Sequence, residues 1–282
     1  MSKIYMRFPQ FKEKAVTLSY DDGVRQDKKL IAIMKRNGLK GTFNLNSNMF
    51  ARDYNGETRG RMSVKEAVEL YLNSDMEVAV HGANHMSLTL VDELMALNDV
   101  LEDRKSLEKT FGGIIKGMAY AYGAYNDSVV DMIKKCGIKY SRVTETTEGF
   151  SLPTDWLRWA GTCHHNCPRM MELAHKFIEG PQSSHYWFNR PKLFYLWGHS
   201  YEFDNNDNWN VIEEFAEYIG GREDVWYATN GEIYEYVQAC DRLEFSAEAN
   251  CVYNPSCLDV YIEYFGKKYL IPSGKTIYLI EK

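Results

Sequence analysis

The chain has 282 residues, 45% hydrophobic and 26% charged, with a formal net charge of −6. This is the composition of an ordinary globular protein, long enough for one barrel-sized domain or two smaller ones. Its acidic balance argues against a nucleic-acid partner. No stretch is long enough to span a bilayer, and Met1 to Pro9 contain no apolar leader-like run. The expectation is therefore a cytoplasmic protein with no membrane partner, whose six cysteines are thiols rather than bridges.

In chain order, Ala15 to Tyr20 predicts a buried strand, with Val16, Leu18 and Tyr20 alternating with Thr17 and Ser19. It runs into Asp21-Asp22-Gly23, where Asp-Gly breaks the chain ahead of a helix patterned on Leu30, Ile33 and Met34. Thr42 to Leu45 is a second strand, followed by a polar loop from Asn46 to Arg61. Ser63 and Glu66 stand at capping-box spacing at the head of a helix in which Val64, Ala67, Val68, Tyr71 and Leu72 are expected to form a buried face. A third strand, Glu77 to Val80, enters His81-Gly82-Ala83-Asn84-His85. The long helix after it carries Leu94, Leu97, Leu101 and Leu107 and closes at Gly112-Gly113; its Asp99, Asp103 and Arg104 read as a solvated face.

Gly117 to Tyr120 and Ile138 to Val143 are strands four and five, separated by a helix from Asp127 to Cys136 that stops at Gly137. From Thr144 to Arg190 the rhythm weakens into a tryptophan-rich segment around Trp156 and Trp159 and a helix from Arg169 to Glu179. Leu193 to Trp197 and Val225 to Ala228 are strands, each followed by a helix. About seven strands, most followed by a helix, predict an α/β barrel rather than an open sheet. Beyond residue 240, short strands joined by Asn-Pro, Phe-Gly and Pro-Ser-Gly turns predict a small β-rich extension packed on the barrel. The expected division is residues 1–240 and 241–282.

Three features fall just past strands, at the rim where α/β folds gather their chemistry. Adjacent carboxylates such as Asp21 and Asp22 can divide labour, one holding a cation while the other handles a proton. His81 and His85, four residues apart, face one side if the backbone turns helically there. Two imidazoles and one carboxylate are an ordinary ligand set for zinc or a similar divalent ion, with room left for water. His199 follows the strand that ends at Trp197. His164-His165, between Cys163 and Cys167, lacks a partner pair at the usual zinc-site spacing. It reads as a structural or loop element, with one histidine able to line the cleft.

In the set and order of these motifs, residues 15–240 resemble the polysaccharide deacetylases of the NodB-homology type, the family 4 carbohydrate esterases. The carrying residues are Ser19-Tyr20-Asp21-Asp22-Gly23, His81 to His85, and Leu196-Trp197-Gly198-His199. The resemblance implies a distorted (β/α)7 barrel. It implies Asp22, His81 and His85 as ligands of a divalent metal, zinc first and cobalt, nickel, manganese or iron as alternatives. Asp21 would be the general base, His199 the general acid, and the backbone N–H of Tyr122 part of the oxyanion site. The implied substrate is an N- or O-acetylated carbohydrate. Other small acylated substrates, including linear or cyclic amides, and a non-catalytic sugar-binding role stay open.

The third motif departs from the family pattern: Ala119-Tyr120-Ala121-Tyr122-Gly123 lacks its arginine and proline. Arg158 and Arg142 are the candidate cations to steady Asp21 instead. Asp155, beside Trp156, is the candidate carboxylate to orient His199, with Glu202 or Asp204 as local substitutes. Tyr125, Trp159 and Trp197 are candidate substrate-binding rings.

Overall fold

Every residue of the central strand, Lys14–Asp21, is buried, and the rest of the fold serves to cover its two faces. The computed structural model describes residues 4–51, 60–180 and 190–279. The chain opens with β1 (Ile4–Arg7), and the barrel elements begin with β2 (Lys14–Asp21), α1 (Asp27–Arg36), β3 (Gly41–Leu45), α2 (Val64–Leu72), β4 (Glu77–Val80) and α3 (Glu93–Phe111). They continue through β5 (Gly117–Ala119), α4 (Asp127–Lys135), β6 (Tyr140–Thr146), β7 (Trp159–Gly161), β8 (Cys163–His164) and α5 (Met170–Glu179). After these come β9 (Lys192–Gly198), α6 (Tyr201–Asn205), α7 (Trp209–Ile219), β10 (Val225–Tyr227) and α8 (Asn230–Asp241).

The main sheet is parallel throughout, in the order β7-β6-β5-β4-β3-β2-β9-β8, with β10 also on β2. Its two ends are joined by one segment. Gly161 and Thr162 accept from the amides of Thr147 and Glu148 on one side, each at 2.9 Å, and Thr162 donates to the Tyr195 carbonyl on the other at 2.8 Å. The result is the distorted α/β barrel that the βα rhythm predicts, and all seven expected strands are present. The pair β7 and β8 was missed because three and two residues are too few to show a period.

Side-chain parity on β2 sorts the interior. Val16, Leu18 and Tyr20 join the helix layer with Leu30, Met34, Phe203 and Phe215. Thr17 and Ser19 face the barrel lumen, where Thr17 donates to Asn230 Oδ1 (2.9 Å) and Ser19 accepts from Asn44 Nδ2 (2.9 Å). Buried polar groups on that face are thus satisfied rather than stranded. Ser63 and Glu66 form the expected capping box of α2, and Gly137 leaves α4 at φ +82°.

The last strands are β11 (Glu244–Phe245), β12 (Cys251–Tyr253), β13 (Val260–Tyr264), β14 (Lys267–Ile271) and β15 (Thr276–Tyr278). They form two three-stranded sheets, β1-β13-β14 and β11-β12-β15. The N-terminal strand β1 is therefore hydrogen-bonded into the C-terminal sheet. Tyr236 of α8 ties the two parts, donating to the Arg7 carbonyl (2.6 Å) and accepting from the Tyr261 amide (3.0 Å). Among the described residues no helix is long and apolar enough to cross a membrane.

Candidate active site

The carboxyl ends of β2, β4, β5, β8 and β9 meet at one rim, and β2 delivers two acids to it. Asp22 (φ +85°) and Gly23 (φ +64°) are both left-handed. The strand can therefore end on Asp21 and turn Asp22 away from it. Such a backbone at a non-glycine residue costs on the order of 1 kcal/mol or more and persists where the surroundings enforce it.

Asp21 is 2% exposed. One carboxylate oxygen accepts from Asn44 Nδ2 at 2.8 Å, and the other pairs with the guanidinium of Arg142. That second oxygen also lies 3.7 Å from His81 Nε2 and 3.8 Å from His199 Nε2. Burial pushes the Asp21 carboxyl up, but Arg142, His81, His199 and Asn44 together bring it down to about 2. It is therefore an anion at neutral pH.

Arg142 reaches Asp21 from β6 and is itself buried, its guanidinium lying 4.3 Å over the Trp197 ring. Of the two arginines named for this task, Arg142 is the one in contact. Arg158 instead binds Asp155 and Asp127.

Asp22, His81 and His85 each offer a ligand atom, all within 4.8 Å of one another. His81 Nδ1 lies 2.8 Å from the Ala119 carbonyl, so the neutral ring donates there and leaves Nε2 as a lone-pair donor. Burial and the neighbouring His81 hold the His85 imidazole down to about 4, so the His85 ring is neutral at pH 7. These are the properties a divalent ion needs in its ligands, and the three side chains fit one. The segment His81 to His85 is not helical, as the spacing argument required. Gly82 (φ +80°) and His85 (φ +53°) are left-handed, and the His85 amide donates to the Gly82 carbonyl in a tight turn.

That turn is held by residues the sequence reading assigned to solvent. Asp99 and Asp103 are 3% and 0% exposed. Asp103 accepts from the amides of Ser47 (2.7 Å) and His81 (3.0 Å), and Asp99 from the amide of Asn84 (2.9 Å). A Cβ on Gly82 would sit 2.5 Å from Asp99 Oδ2, which makes glycine obligatory there. The signal was available: Asp99 and Asp103 share a helix face with Ala96, Val100 and Leu107, all buried. Arg61, without any such signal, pairs with Asp22 Oδ1 at 2.9 Å and Asn46 Oδ1 at 2.7 Å.

His199 follows β9. Its Nδ1 is 2.8 Å from Glu202 Oε1, so the orienting carboxylate is Glu202. Asp155 caps a short turn by accepting from the Leu157 amide, and Asp204 accepts from Trp209 and Gln26. Burial works against protonation of His199, but Glu202, Asp21 and Asp22 hold its pKa above the ordinary imidazole value.

The aromatic candidates fare differently. Trp159 is 1% exposed, packed edge-on against Tyr140, Trp156 and Tyr195, so it is a core residue and offers no face to a sugar. Trp197 is 8% exposed and its face is taken by Arg142; it props the cation rather than the substrate. Tyr125 is half-buried, stacked on Tyr120 with its hydroxyl on Glu145. Tyr122 is exposed and left-handed (φ +59°), its ring centroid 4.5 Å from that of His85.

The turn after His199 is anchored by Ser200, which donates to Asp27, a fully buried acid that also accepts from Tyr71 (2.6 Å). Burial raises the Asp27 carboxyl from 3.8 to about 7, against the pull of those two hydroxyls. The folded state then binds the proton more tightly than the unfolded one. Stability from this group is complete below pH 3.8 and is lost as pH rises through about 7. The loss is on the order of 4 kcal/mol. Asp27→Asn is expected to flatten the stability–pH profile in that window, measured by urea unfolding; an unchanged slope would contradict this.

The polysaccharide deacetylase family model matches residues 9–141. A poly-β-1,6-N-acetyl-D-glucosamine N-deacetylase of Staphylococcus aureus is 32% identical over 99 residues, which cover 32% of this chain and 31% of that relative. The matched stretch thus spans about a third of the relative's length. Among solved structures, a Mycobacterium smegmatis protein described as a polysaccharide deacetylase superposes with a TM-score of 0.57 at 16% identity. The match covers 84% of this chain and 94% of that one. A family 4 carbohydrate esterase from Streptomyces lividans, in complex with acetate, gives 0.51 at 13% identity, covering 77% and 93%. At such identities these two carry the fold alone. Motif order and the matched residues agree, and residues 9–141 are those of the polysaccharide deacetylase family.

Proposed function

We propose that the chain is a metal-dependent hydrolase that removes acetyl groups from acetylated sugars, N-acetylated ones first. The observation that carries this reading is the convergence of Asp22, His81 and His85 within 4.8 Å, flanked by Asp21 and His199. Those three residues would hold a divalent ion, which when bound would supply Lewis-acid polarisation of the acyl carbonyl and acidification of the attacking water. Zinc is the first choice for two imidazoles and a carboxylate.

The chain's own residues supply the proton transfers. Asp21, ionised and fixed by Asn44 and Arg142, accepts the proton of the attacking water. His199, whose Nδ1 faces Glu202, presents Nε2 toward the rim and gives its proton to the departing nitrogen or oxygen. Tyr122, whose ring packs on His85, is assigned the oxyanion role through its backbone N–H. The name of the Staphylococcus aureus relative supports an N-acetylglucosamine polymer as substrate class.

The test is acetate release from N-acetylglucosamine oligomers, acetylated xylan and a cyclic imide, assayed side by side. Acetate from the sugar amides is expected; turnover of the cyclic imide alone would overturn the substrate assignment. The reading also fixes a pH dependence. A general acid must be protonated, so turnover is expected to fall as pH rises through the elevated His199 value. Glu202→Gln removes the carboxylate that stabilises the protonated ring, and the alkaline limb is expected to move to lower pH. A limb that stays in place would show that Glu202 does not tune the acid.

A further inference from the structure

We propose that His164, His165 and Glu202 form a second divalent-cation site, separate from Asp22, His81 and His85. Each of the three offers a ligand atom, all within 4.8 Å of one another. Glu202 Oε2 lies 3.0 Å from His165 Nε2 and 3.7 Å from His164 Nε2. Ligand atoms around a tetrahedral zinc, each about 2.0–2.1 Å from the ion, stand about 3.3 Å apart, so these separations bracket what an ion requires. The donor set, two imidazoles and a carboxylate, repeats that of the first group.

The two rings are built into place. His165 is 1% exposed, stacked on Tyr20 (5.7 Å) and packed on Phe203 (4.2 Å). Its Nδ1 has no hydrogen-bond partner, and a Cβ on Gly198 would come within 2.1 Å of it. A buried nitrogen left so carries a desolvation penalty that an apolar ring in the same slot would not incur. The imidazole is therefore not explained by packing. His164 is 22% exposed, with its ring 4.4 Å from Trp197, and gives an ion a path from solvent. Asn166 donates to the same Glu202 oxygen, while the other Glu202 oxygen holds His199 Nδ1 at 2.8 Å. An ion here would share Glu202 with His199, and its ligands would hold the carboxylate that orients the acid. Sequence spacing hides the site because its third ligand lies 37 residues beyond His165, on α6.

The experiment counts ions. Metal-stripped wild type, His164→Ala, His81→Ala and the double variant are dialysed to equilibrium against buffered zinc, and bound zinc is measured by mass spectrometry. Circular dichroism checks each fold. Two ions per chain are expected in wild type, one in each single variant and none in the double. A single wild-type ion, lost in His81→Ala and kept in His164→Ala, would overturn the proposal. So would two ions that survive both His164→Ala and Glu202→Gln. A single ion sensitive only to His164 would uphold this site and instead remove the first, so the two readings fail separately.

Discussion

Replacing Arg142 by methionine is expected to destabilise the protein by roughly 3–5 kcal/mol, because it strands a buried carboxylate without its partner. Arg142 and Asp21 are 1% and 2% exposed, so water cannot take over the lost contact. The guanidinium also fills the space over Trp197, and methionine keeps much of that volume. The double variant Asp21→Asn/Arg142→Met removes the stranded charge and is expected to recover most of the loss, which a double-mutant cycle by urea unfolding would read. With Arg142 gone, the largest influence holding the Asp21 carboxyl near 2 is gone as well, and its pKa rises. If Arg142→Met unfolds within ~1 kcal/mol of the parent, the range of an exposed pair, the buried ion pair is not what secures the base.

The second large effect is catalytic. Asp21→Asn is expected to lower turnover about 10²- to 10⁴-fold, the span of a lost general base, while bound metal stays unchanged. Asparagine keeps the shape and the capacity to accept from Asn44, but it takes no proton. His199→Ala is expected to act through the departing group with a loss in the same range. Its effect should be smaller for an acetyl ester, whose alcohol leaves more readily than an amine. Steady-state kinetics on both linkages, with zinc content measured on the same samples, checks both. A loss below tenfold in Asp21→Asn with its metal in place would remove that residue from the proton path.

The parts of this architecture that were legible are those written in local pattern. In β9 the strand is legible as a continuous apolar run from Leu193 to Trp197, and in β2 as the alternation of Val16, Leu18 and Tyr20 with Thr17 and Ser19. The motifs at their ends were legible because a turn follows a strand within a few residues. What joins those ends was not. Arg142 meets Asp21 across 121 residues, and no period or spacing relates them.

Parity explains the tryptophans. Leu193, Tyr195 and Trp197 alternate along β9, and all three pack in one buried cluster with Tyr140, Trp159 and α8. A tryptophan in register with two core residues belongs to the core. Parity along β9 therefore argues against Trp197 as a substrate-binding ring. Asp99 and Asp103 were misjudged: charge suggested solvent, although their helix positions follow the buried side of α3. The barrel face they occupy supplies backbone amides as partners, which only the folded turn at His81 to His85 creates.

The most direct test compares acetate release from an N-acetylglucosamine oligomer by protein stripped with a chelator and by the same protein reloaded with zinc. Turnover absent in the stripped sample and restored on reloading, with no restoration in His81→Ala, is the expected result. Undiminished turnover by the metal-free protein would contradict the assignment of Asp22, His81 and His85 as the ligands of a catalytic ion.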